Sequence, residues 1–348
     1  MKAVRIEPDG SVSVVEMEVP KIGPGEALMR THASGICGSD LLDWYVRRKA
    51  GTILGHEVTG EIVAVGQGVE HFEPGDRVVP HHHAPCLSCD ACRRGRYVHC
   101  RQWRESALDP GGMAEMVRIP AENIGADTQR IPESLSDEEA SFTEPLATVV
   151  KAFRRARFES GQSMLVVGLG TAGQLALRLA RASGASRIVG VDRVAFRRKL
   201  AQESGAEETL EVGQGPPEVS ALLGARRFDL VLVSPGKAEI ARAWVDAVAP
   251  GGILLLFTMA APEETLALSP HDLYFREVSL VPSYSCGPDD TRQALQLISS
   301  RRVPVADLVT HRYPIEKAKE AFARARDPEG SLKVLLTSAP SSGGRGKG

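Results

Sequence analysis

The sequence predicts an α/β protein with two domains, one rich in β-strands and one built on a parallel sheet. The 348 residues match the length of two domains at roughly 150 residues each. In the first part, short apolar runs alternate with Gly and Pro turns, which is typical of a small barrel or sandwich. After Pro145, continuous apolar runs alternate with helix-like segments, which indicates a parallel sheet covered by helices on both faces.

The individual elements follow from these patterns in chain order. Apolar runs in the first part predict strands at residues 12–15, 61–65 and 77–80, with a turn at 73–76. The second part is expected to open with a helix at 146–159 and then to alternate strands at 164–167, 187–192, 229–233 and 252–257 with helices at 172–183 and 194–204. Further helices are expected near 288–300 and 315–325.

Composition and charge exclude several classes of protein. Hydrophobic residues make up 43% of the chain and the formal net charge is −2, which excludes a disordered chain. Because no long basic block is present, we expect no nucleic-acid partner. The sequence contains no run of 18 apolar residues and the first residues lack a signal peptide's apolar core, so we expect a cytoplasmic protein without a membrane partner.

A glycine-rich turn lies between the first predicted strand and helix of the second part. Gly168, Gly170 and Gly173, with Thr171 and Ala172 between the last two, form a GxGxxG pattern, and Asp192 follows nineteen residues after the third glycine. These glycines permit a tight turn and a close approach of a pyrophosphate, which the helix N-terminus binds. Asp192 would accept hydrogen bonds from a ribose and repel a 2′-phosphate, which favours NAD over NADP. Arg193 beside it could instead meet that phosphate, and a glycine-rich turn without a nucleotide is the alternative.

Four of the six cysteines lie within fifteen residues, at positions 86, 89, 92 and 100. In a long chain without a secretory signal, such clustering indicates metal binding rather than disulfides. Four thiolates can close a tetrahedral zinc site of the structural kind. We therefore assign Cys86, Cys89, Cys92 and Cys100 to a structural zinc, with an iron–sulfur cluster, two disulfides or free thiols as alternatives.

A second set of metal-ligand types lies upstream, where Cys37 is followed by His56 and Glu57. Cysteine, histidine and carboxylate are the ligands of an open catalytic zinc, which leaves room for water or substrate. Taken alone, however, a single cysteine and a single histidine are more often buried core residues. Both interpretations stay open on these residues.

Several motifs together carry a specific resemblance to a known family. Residues 35–40, 55–60, 74–78, 111–115 and 144–147, with the cysteine loop and the glycine turn, resemble the zinc-containing medium-chain dehydrogenase/reductase family in the family's order. The resemblance implies a GroES-like catalytic domain interrupted by a Rossmann domain. The implied boundaries are 1–147 for the first part of the catalytic domain, 148–284 for the Rossmann domain, 285–338 for the resumed catalytic domain and 339–348 for a flexible tail.

The same resemblance implies roles for particular residues. A catalytic zinc would bind Cys37 and His56, with Glu57 and Glu144 as further ligands or exchanging partners, which makes two zinc ions per chain. The Glu144-Pro145 pair resembles the sorbitol and threonine dehydrogenase branch. Ser39 would accept the substrate proton, but its onward route is open because Leu42 stands where many members have a histidine.

The implied activity is hydride transfer between a secondary alcohol of the polyol, sugar or amino-polyol type and NAD, with zinc as a Lewis acid on the hydroxyl. The alternatives are an NAD(P)-dependent dehydrogenase of simple alcohols and a non-catalytic NAD- and zinc-binding relative. A nucleic-acid-binding zinc ribbon at 86–100 is disfavoured by the near-neutral charge. The family further implies a homodimer or homotetramer. The run His81-His82-His83 is expected to form a solvated turn, with a position at the catalytic cleft as the alternative. Trp103 is expected to be a packing residue rather than part of a substrate wall.

Overall fold

The computed structural model describes residues 1–213 and 218–337, and their contacts divide the chain into two units. The first unit comprises 1–142, 309–326 and the chain from 333, and the second comprises 143–308 and 327–332. This division differs from the predicted one, because 285–308 belongs to the second unit. There the helix Pro288–Ser299 packs on the helix Thr143–Arg155, and Asp290 of the first forms an ion pair with Arg154 of the second. The predicted tail, 339–348, lies outside the described residues.

The strands of the described chain are numbered in sequence order. They are β1 (Lys2–Ile6), β2 (Val12–Glu16), β3 (Ala27–Gly35), β4 (Glu57–Val65), β5 (Arg77–Pro80), β6 (Met116–Ile119), β7 (Thr128–Arg130), β8 (Ser163–Val167), β9 (Arg187–Asp192), β10 (Glu208–Glu211), β11 (Phe228–Val233), β12 (Val248–Leu256), β13 (Ser279–Pro282), β14 (Val309–Pro314) and β15 (Lys333–Thr337).

The α-helices are numbered in the same way. They are α1 (Asp43–Val46), α2 (Asp90–Arg93), α3 (Arg101–Glu105), α4 (Ala121–Asp127), α5 (Asp137–Ala140), α6 (Thr143–Arg155), α7 (Thr171–Ala182), α8 (Ala195–Glu203), α9 (Val219–Leu223), α10 (Ala238–Trp244), α11 (Pro270–Arg276), α12 (Pro288–Ser299) and α13 (Ala318–Arg326). Short 3₁₀ helices occupy Gly38–Leu41, Arg47–Lys49, Tyr97–His99, Val245–Ala247, Ala306–Leu308 and Ile315–Lys317. None of the helices in these described ranges combines the length and apolar character needed to cross a bilayer.

The first unit is built around a seven-stranded, largely antiparallel sheet. Its order is β14-β15-β3-β4-β5-β7, with β6 also paired to β3, while β1 and β2 form a separate hairpin. Strand β3 shows why the sheet buries one face, since Ala27, Met29, Thr31 and Ala33 are buried and the residues between them are more exposed. The predicted β-rich character of this part is confirmed.

The second unit contains a six-stranded sheet in which every neighbouring pair is parallel. Its order is β10-β9-β8-β11-β12-β13. Strands β8, β9 and β11 are buried along almost their whole length, as expected when helices cover both faces. The strand order reverses between β8 and β11, and such a reversal is where ligands bind in sheets of this type. The predicted doubly wound α/β class is confirmed.

Candidate metal centres and dinucleotide site

The four-cysteine loop brings its sulfur atoms to one point in the first unit. The Sγ atoms of Cys86 and Cys92 are 3.9 Å apart, those of Cys89 and Cys92 3.5 Å, and those of Cys86 and Cys100 3.6 Å. Tetrahedral zinc with Zn–S bonds of about 2.3 Å requires sulfur separations of about 3.8 Å, so the residues fit this ion. The separations exceed a disulfide bond, and none of the six cysteines, all of which lie in the described part of the chain, forms a disulfide. They are too short for a multi-iron cluster, whose iron and sulfide atoms lie between the thiolates.

Local structure and electrostatics both favour a cation at this point. Cys89 precedes the short helix α2, which returns Cys92 towards it, and the Cys86 N–H lies 3.4 Å from the Cys100 sulfur. Hydrogen bonds from Ser88 lower the pKa of Cys86 to about 5, whereas burial raises the pKa of Cys92 to about 12. A positive charge among the sulfurs would favour the thiolate form of Cys92.

A second cluster forms where β3 ends and β4 begins. Gly35 pairs with Glu57 across these strands, which places Cys37 beside His56 and Glu57. The candidate ligand atoms of these three side chains lie within 4.8 Å of one another. Glu57 is 2% exposed, while Cys37 and His56 are half-buried. The donor set fits zinc, and its partly exposed side can admit a further ligand.

Asp40 is a buried carboxylate that contacts both Cys37 and His56 of this cluster. Its Oδ2 accepts the Cys37 N–H at 3.1 Å, and its Oδ1 lies 3.9 Å from Nδ1 of His56. The side chain is 1% exposed, and burial raises the pKa of Asp40 against the opposing effect of His56. Asp40 was expected only as part of the motif at residues 35–40, without a role of its own.

Lys333 forms an ion pair with Glu57 inside the same unit. The two side chains are 3% and 2% exposed, and Lys333 Nζ also donates to the Ile36 carbonyl at 3.3 Å. Gly35 leaves space for this pair, because a Cβ at that position would lie 2.0 Å from Oε2 of Glu57. Lys333 was not predicted as part of this site, because it lies 276 positions away from its partner in the chain.

The remaining residues of the predicted catalytic set occupy two elements. Ser39 lies half-buried in the 3₁₀ turn Gly38–Leu41, two positions after Cys37. Leu42 follows this turn and precedes helix α1. Glu144 lies in the first turn of α6, in the second unit, and is 8% exposed.

The histidine run is not the solvated turn that the sequence predicted. His81 is 3% exposed, and its Nδ1 lies 2.7 Å from the His83 carbonyl and 3.3 Å from the carboxylate of Asp127. Burial also lowers the pKa of His82 and His83. Polarity alone suggested solvent, but these rings pack among other rings. Trp103, 1% exposed, is the packing residue that was expected.

The glycine turn of the second unit is shaped for a phosphate. Gly168 has φ +87°, and a Cβ at Gly173 would lie 1.9 Å from the Gly168 carbonyl oxygen. A Cβ at Gly170 would meet only Arg197, at 3.8 Å, so the space in front of the turn is open. Helix α7 begins at Thr171, and Ala172 is its second residue. The free N–H groups of this first turn can bind a pyrophosphate.

Asp192 ends β9 beside this turn. Its Oδ2 accepts the Leu169 N–H at 2.7 Å and its Oδ1 accepts the Val194 N–H at 2.8 Å. The carboxylate is thus fixed in position, with lone pairs remaining for a ribose hydroxyl. Arg193 is exposed next to it.

Comparison with known proteins places this fold and these sites in context. Residues 23–129 match the alcohol dehydrogenase GroES-like domain, and residues 172–300 match the zinc-binding dehydrogenase domain. The chain is 33% identical to sorbitol dehydrogenase of Ovis aries over 343 residues, which cover 95% of each chain. It is 31% identical to L-threonine 3-dehydrogenase of Pyrococcus horikoshii over 334 residues, covering 93% of this chain and 94% of that protein.

A solved structure resembles the whole chain in fold. Alcohol dehydrogenase TADH from Thermus sp. ATN1 superimposes with a TM-score of 0.83 and 30% identity, covering 97% of this chain and all of that one (100%). These findings confirm the resemblance that the sequence motifs carried. The chain belongs to the zinc-containing medium-chain alcohol dehydrogenase family.

Proposed function

We propose that this protein is a zinc-dependent oxidoreductase that transfers a hydride between a secondary alcohol and NAD. The observation that carries the proposal is the convergence of Cys37, His56 and Glu57 in a chain of the dehydrogenase family. When bound, zinc supplies a Lewis acid that lowers the pKa of an alcohol, and the nicotinamide supplies the hydride acceptor. The closed set of four cysteines holds a second, structural zinc.

The chain's own residues divide the remaining work. Asp40 fixes the backbone of the Cys37 turn, and Lys333 balances the buried charge of Glu57. The Ser39 hydroxyl accepts the substrate proton, and Glu144 serves as a ligand or exchanging partner of the catalytic zinc. The glycine turn binds the pyrophosphate of the cofactor at the N-terminus of α7.

The experiment that tests this function is replacement of Cys37. We expect Cys37→Ser to abolish turnover and to lower the zinc content from two ions per chain to one, because the open centre loses a thiolate. Binding of NADH, followed by fluorescence, should remain close to that of the unaltered protein. Full activity in the variant, or one zinc in the unaltered protein, would contradict the assignment.

Asp192 supports NAD rather than NADP as the cofactor. Its two backbone hydrogen bonds hold a negative charge at the end of β9, where a 2′-phosphate would be repelled. We expect Asp192→Ala to weaken NADH binding at least tenfold and NADPH binding much less, as measured by calorimetric titration. Arg193→Ala tests the opposite interpretation, in which this side chain meets a 2′-phosphate. An equal effect of Asp192→Ala on both cofactors would contradict a role of Asp192 in cofactor choice.

The substrate class is a polyol, a sugar or an amino-polyol. Relatives named for sorbitol and threonine support a secondary hydroxyl flanked by another polar group. Initial rates with a panel of polyols, sugars and secondary alcohols, followed through the absorbance of the reduced cofactor, test this class. Preference for simple aliphatic or aromatic alcohols would favour the alternative substrate class.

An oligomeric state is also part of the proposal. Strand β13 ends the parallel sheet, and Tyr274, Phe275, Leu280 and Tyr284 are exposed on and beside it. The outer edge of β13 pairs with no other strand of the described sheet. Such an apolar edge is suited to pairing with a second copy, which supports a homodimer or a homotetramer. Light scattering measures the mass in solution, and cell fractionation tests the expected cytoplasmic location.

A further inference from the structure

Four rings form a continuous column within the first unit. The Trp103 and His83 ring centroids are 4.2 Å apart, those of His83 and His82 are also 4.2 Å apart, and those of His82 and His56 are 5.2 Å apart. We call these four residues the ring column. Trp103, at one end, packs against the four-cysteine loop. His56, at the other end, is a member of the Cys37 cluster.

The Trp103 end of the ring column is fixed by the cysteine loop. Trp103 packs with Cys92, Val98 and Cys100 in a buried cluster. It sits in helix α3, which begins directly after Cys100. Any ion that holds the four sulfurs together therefore also holds the Trp103 ring.

The middle of the ring column is anchored by hydrogen bonds. Nδ1 of His83 donates to the Ser106 carbonyl at 2.6 Å, and Ser106 Oγ accepts the Ala84 N–H at 2.7 Å. Ser106 follows α3. The position of the His83 ring is thus set by the segment that leaves the cysteine loop.

The far end of the ring column depends on packing. Nδ1 of His82 is shielded from solvent and has no hydrogen-bond partner among the described residues. The His82 ring instead contacts the rings of His81, His83 and His56, with centroids 4.6, 4.2 and 5.2 Å away. A side chain with several close ring contacts has few alternative rotamers, so His82 is held in place and limits the orientations open to the His56 ring.

We propose that His83 and Trp103 are positioning residues that connect the four-cysteine loop to His56 through the ring column. The inference rests on the proposed function, since it takes Cys37, His56 and Glu57 as the catalytic metal centre. It gives the structural zinc a second consequence: the ion orients a ligand of the other centre as well as stabilising its own loop. Partners hydrogen-bonded directly to a metal ligand set its orientation, and their loss typically weakens metal binding about 10- to 100-fold. For the ring column, which acts through His82, we expect an effect at the lower end of that range.

Two substitutions separate the ring of His83 from its hydrogen bond. His83→Gln keeps a donor for the Ser106 carbonyl but removes the ring, whereas His83→Phe keeps a ring and removes the donor. His99→Ala is the matched control, because His99 is exposed in the same loop and lies outside the ring column. Thermal melts of all variants establish that each one is folded.

The measurements use the full-length protein with Co(II) exchanged into the Cys37 centre and zinc retained on the four cysteines. Visible absorption reports the geometry around Co(II), and transfer to a chelator reports its release rate. We expect His83→Gln to shift the spectrum and to speed release about tenfold. His83→Phe should have a smaller effect, because it loses only the anchoring hydrogen bond, and His99→Ala should stay close to the unaltered protein. No Co(II) binding by the unaltered protein at this centre would refute the proposed function itself.

The opposite pattern would overturn the inference alone. If His83→Gln gives the unaltered spectrum and release rate, the ring column does not position His56. If His83→Phe is more impaired than His83→Gln, the hydrogen bond to Ser106 is responsible rather than the rings. Should His83→Gln fail to fold, Trp103→Phe replaces it as the test, because it puts a smaller ring at the first position of the column. We expect this variant to speed the release of Co(II), and an unchanged rate would refute the role of the column.

Discussion

At the scale of single residues, the buried pair between Lys333 and Glu57 has a large energetic consequence. Both side chains are almost completely removed from solvent, so each charge depends on the other for compensation. Glu57 is also a candidate metal ligand. Its carboxylate would therefore contact both the Lys333 ammonium group and the metal ion of the proposed centre.

Removing the lysine charge should destabilise the protein. We expect Lys333→Met to lower the free energy of unfolding by about 3–5 kcal/mol, because Glu57 is left as an unpaired buried charge. Urea denaturation measures the change. Lys317→Met is the control, since Lys317 and Glu320 form an exposed pair 3.8 Å apart, and it should cost less than about 1 kcal/mol. Equal effects of the two substitutions would contradict the assigned role.

Sequence reasoning reached some of these residues and not others. Cys37, His56 and Glu57 were grouped because their motifs resemble those of a known family, and the pairing of β3 with β4 brings these motifs together. The partnership of Glu57 with Lys333 depends on the pairing of β15 with β3, and no local pattern specifies that pairing. The histidine run was misjudged because its burial depends on Trp103, which the sequence does not place against it.

At the scale of elements, the strand–turn–helix unit at the glycine turn was predicted almost in full. Spacing and apolar pattern specify β8, α7 and β9, since each rests on contacts close in sequence. The start of α6 was predicted too late, at residue 146, whereas the helix begins at Thr143. Pro145 was taken as a boundary, yet proline is tolerated in the first turn of a helix.

Gly173 should be intolerant of any side chain. We expect Gly173→Ala to lower the melting temperature and to abolish NADH binding, because its Cβ would lie 1.9 Å from the Gly168 oxygen and push the turn away from α7. Gly125→Ala is the matched control in helix α4, where a Cβ meets nothing within 4 Å, and it should stabilise by up to about 1 kcal/mol. Normal NADH binding by Gly173→Ala would contradict the proposed phosphate site.

At the scale of the whole molecule, the two-unit organisation was expected but its limits were not. Residues 285–308 were assigned to the first domain, whereas they belong to the second unit. Arg154 of α6 donates to Asp290 of α12 at 2.7 Å. This contact joins segments that are 136 positions apart, and the mixed pattern after residue 283 contains no sign of it.

Global stability should depend on pH through a buried lysine on α6. Lys151 donates to the Tyr284 carbonyl at 2.5 Å, and burial lowers its pKa to about 8, while Cys286 and Asp290 act to raise it and Arg154 and Arg155 to lower it. The unfolded chain retains a lysine pKa of about 10.4. Between pH 8 and about 10.4 the unfolded state therefore binds more protons, and the free energy of unfolding rises with pH.

The test compares Lys151→Met with the unaltered protein across this range. Below pH 8 both folded and unfolded states carry the lysine charge, so its burial cost is fully present and its removal should stabilise the fold. The advantage of Lys151→Met should shrink as the pH rises from 8 to about 10. Denaturation at several pH values gives the slope, with the exposed Lys199→Met as control. Parallel slopes for all three proteins would contradict the shifted pKa.

The position of β15 in the first sheet has a consequence for biosynthesis. Leu335 of β15 pairs with Gly35 of β3, 300 positions earlier, and the strand also delivers Lys333 to Glu57. While the ribosome is still making the middle of the chain, the end of β3 that leads to Cys37 has no such neighbour, although the continuous segment 143–308 can already assemble its parallel sheet. The proposed metal site therefore gains Lys333, the partner of Glu57, only after residues 143–308 have been synthesised.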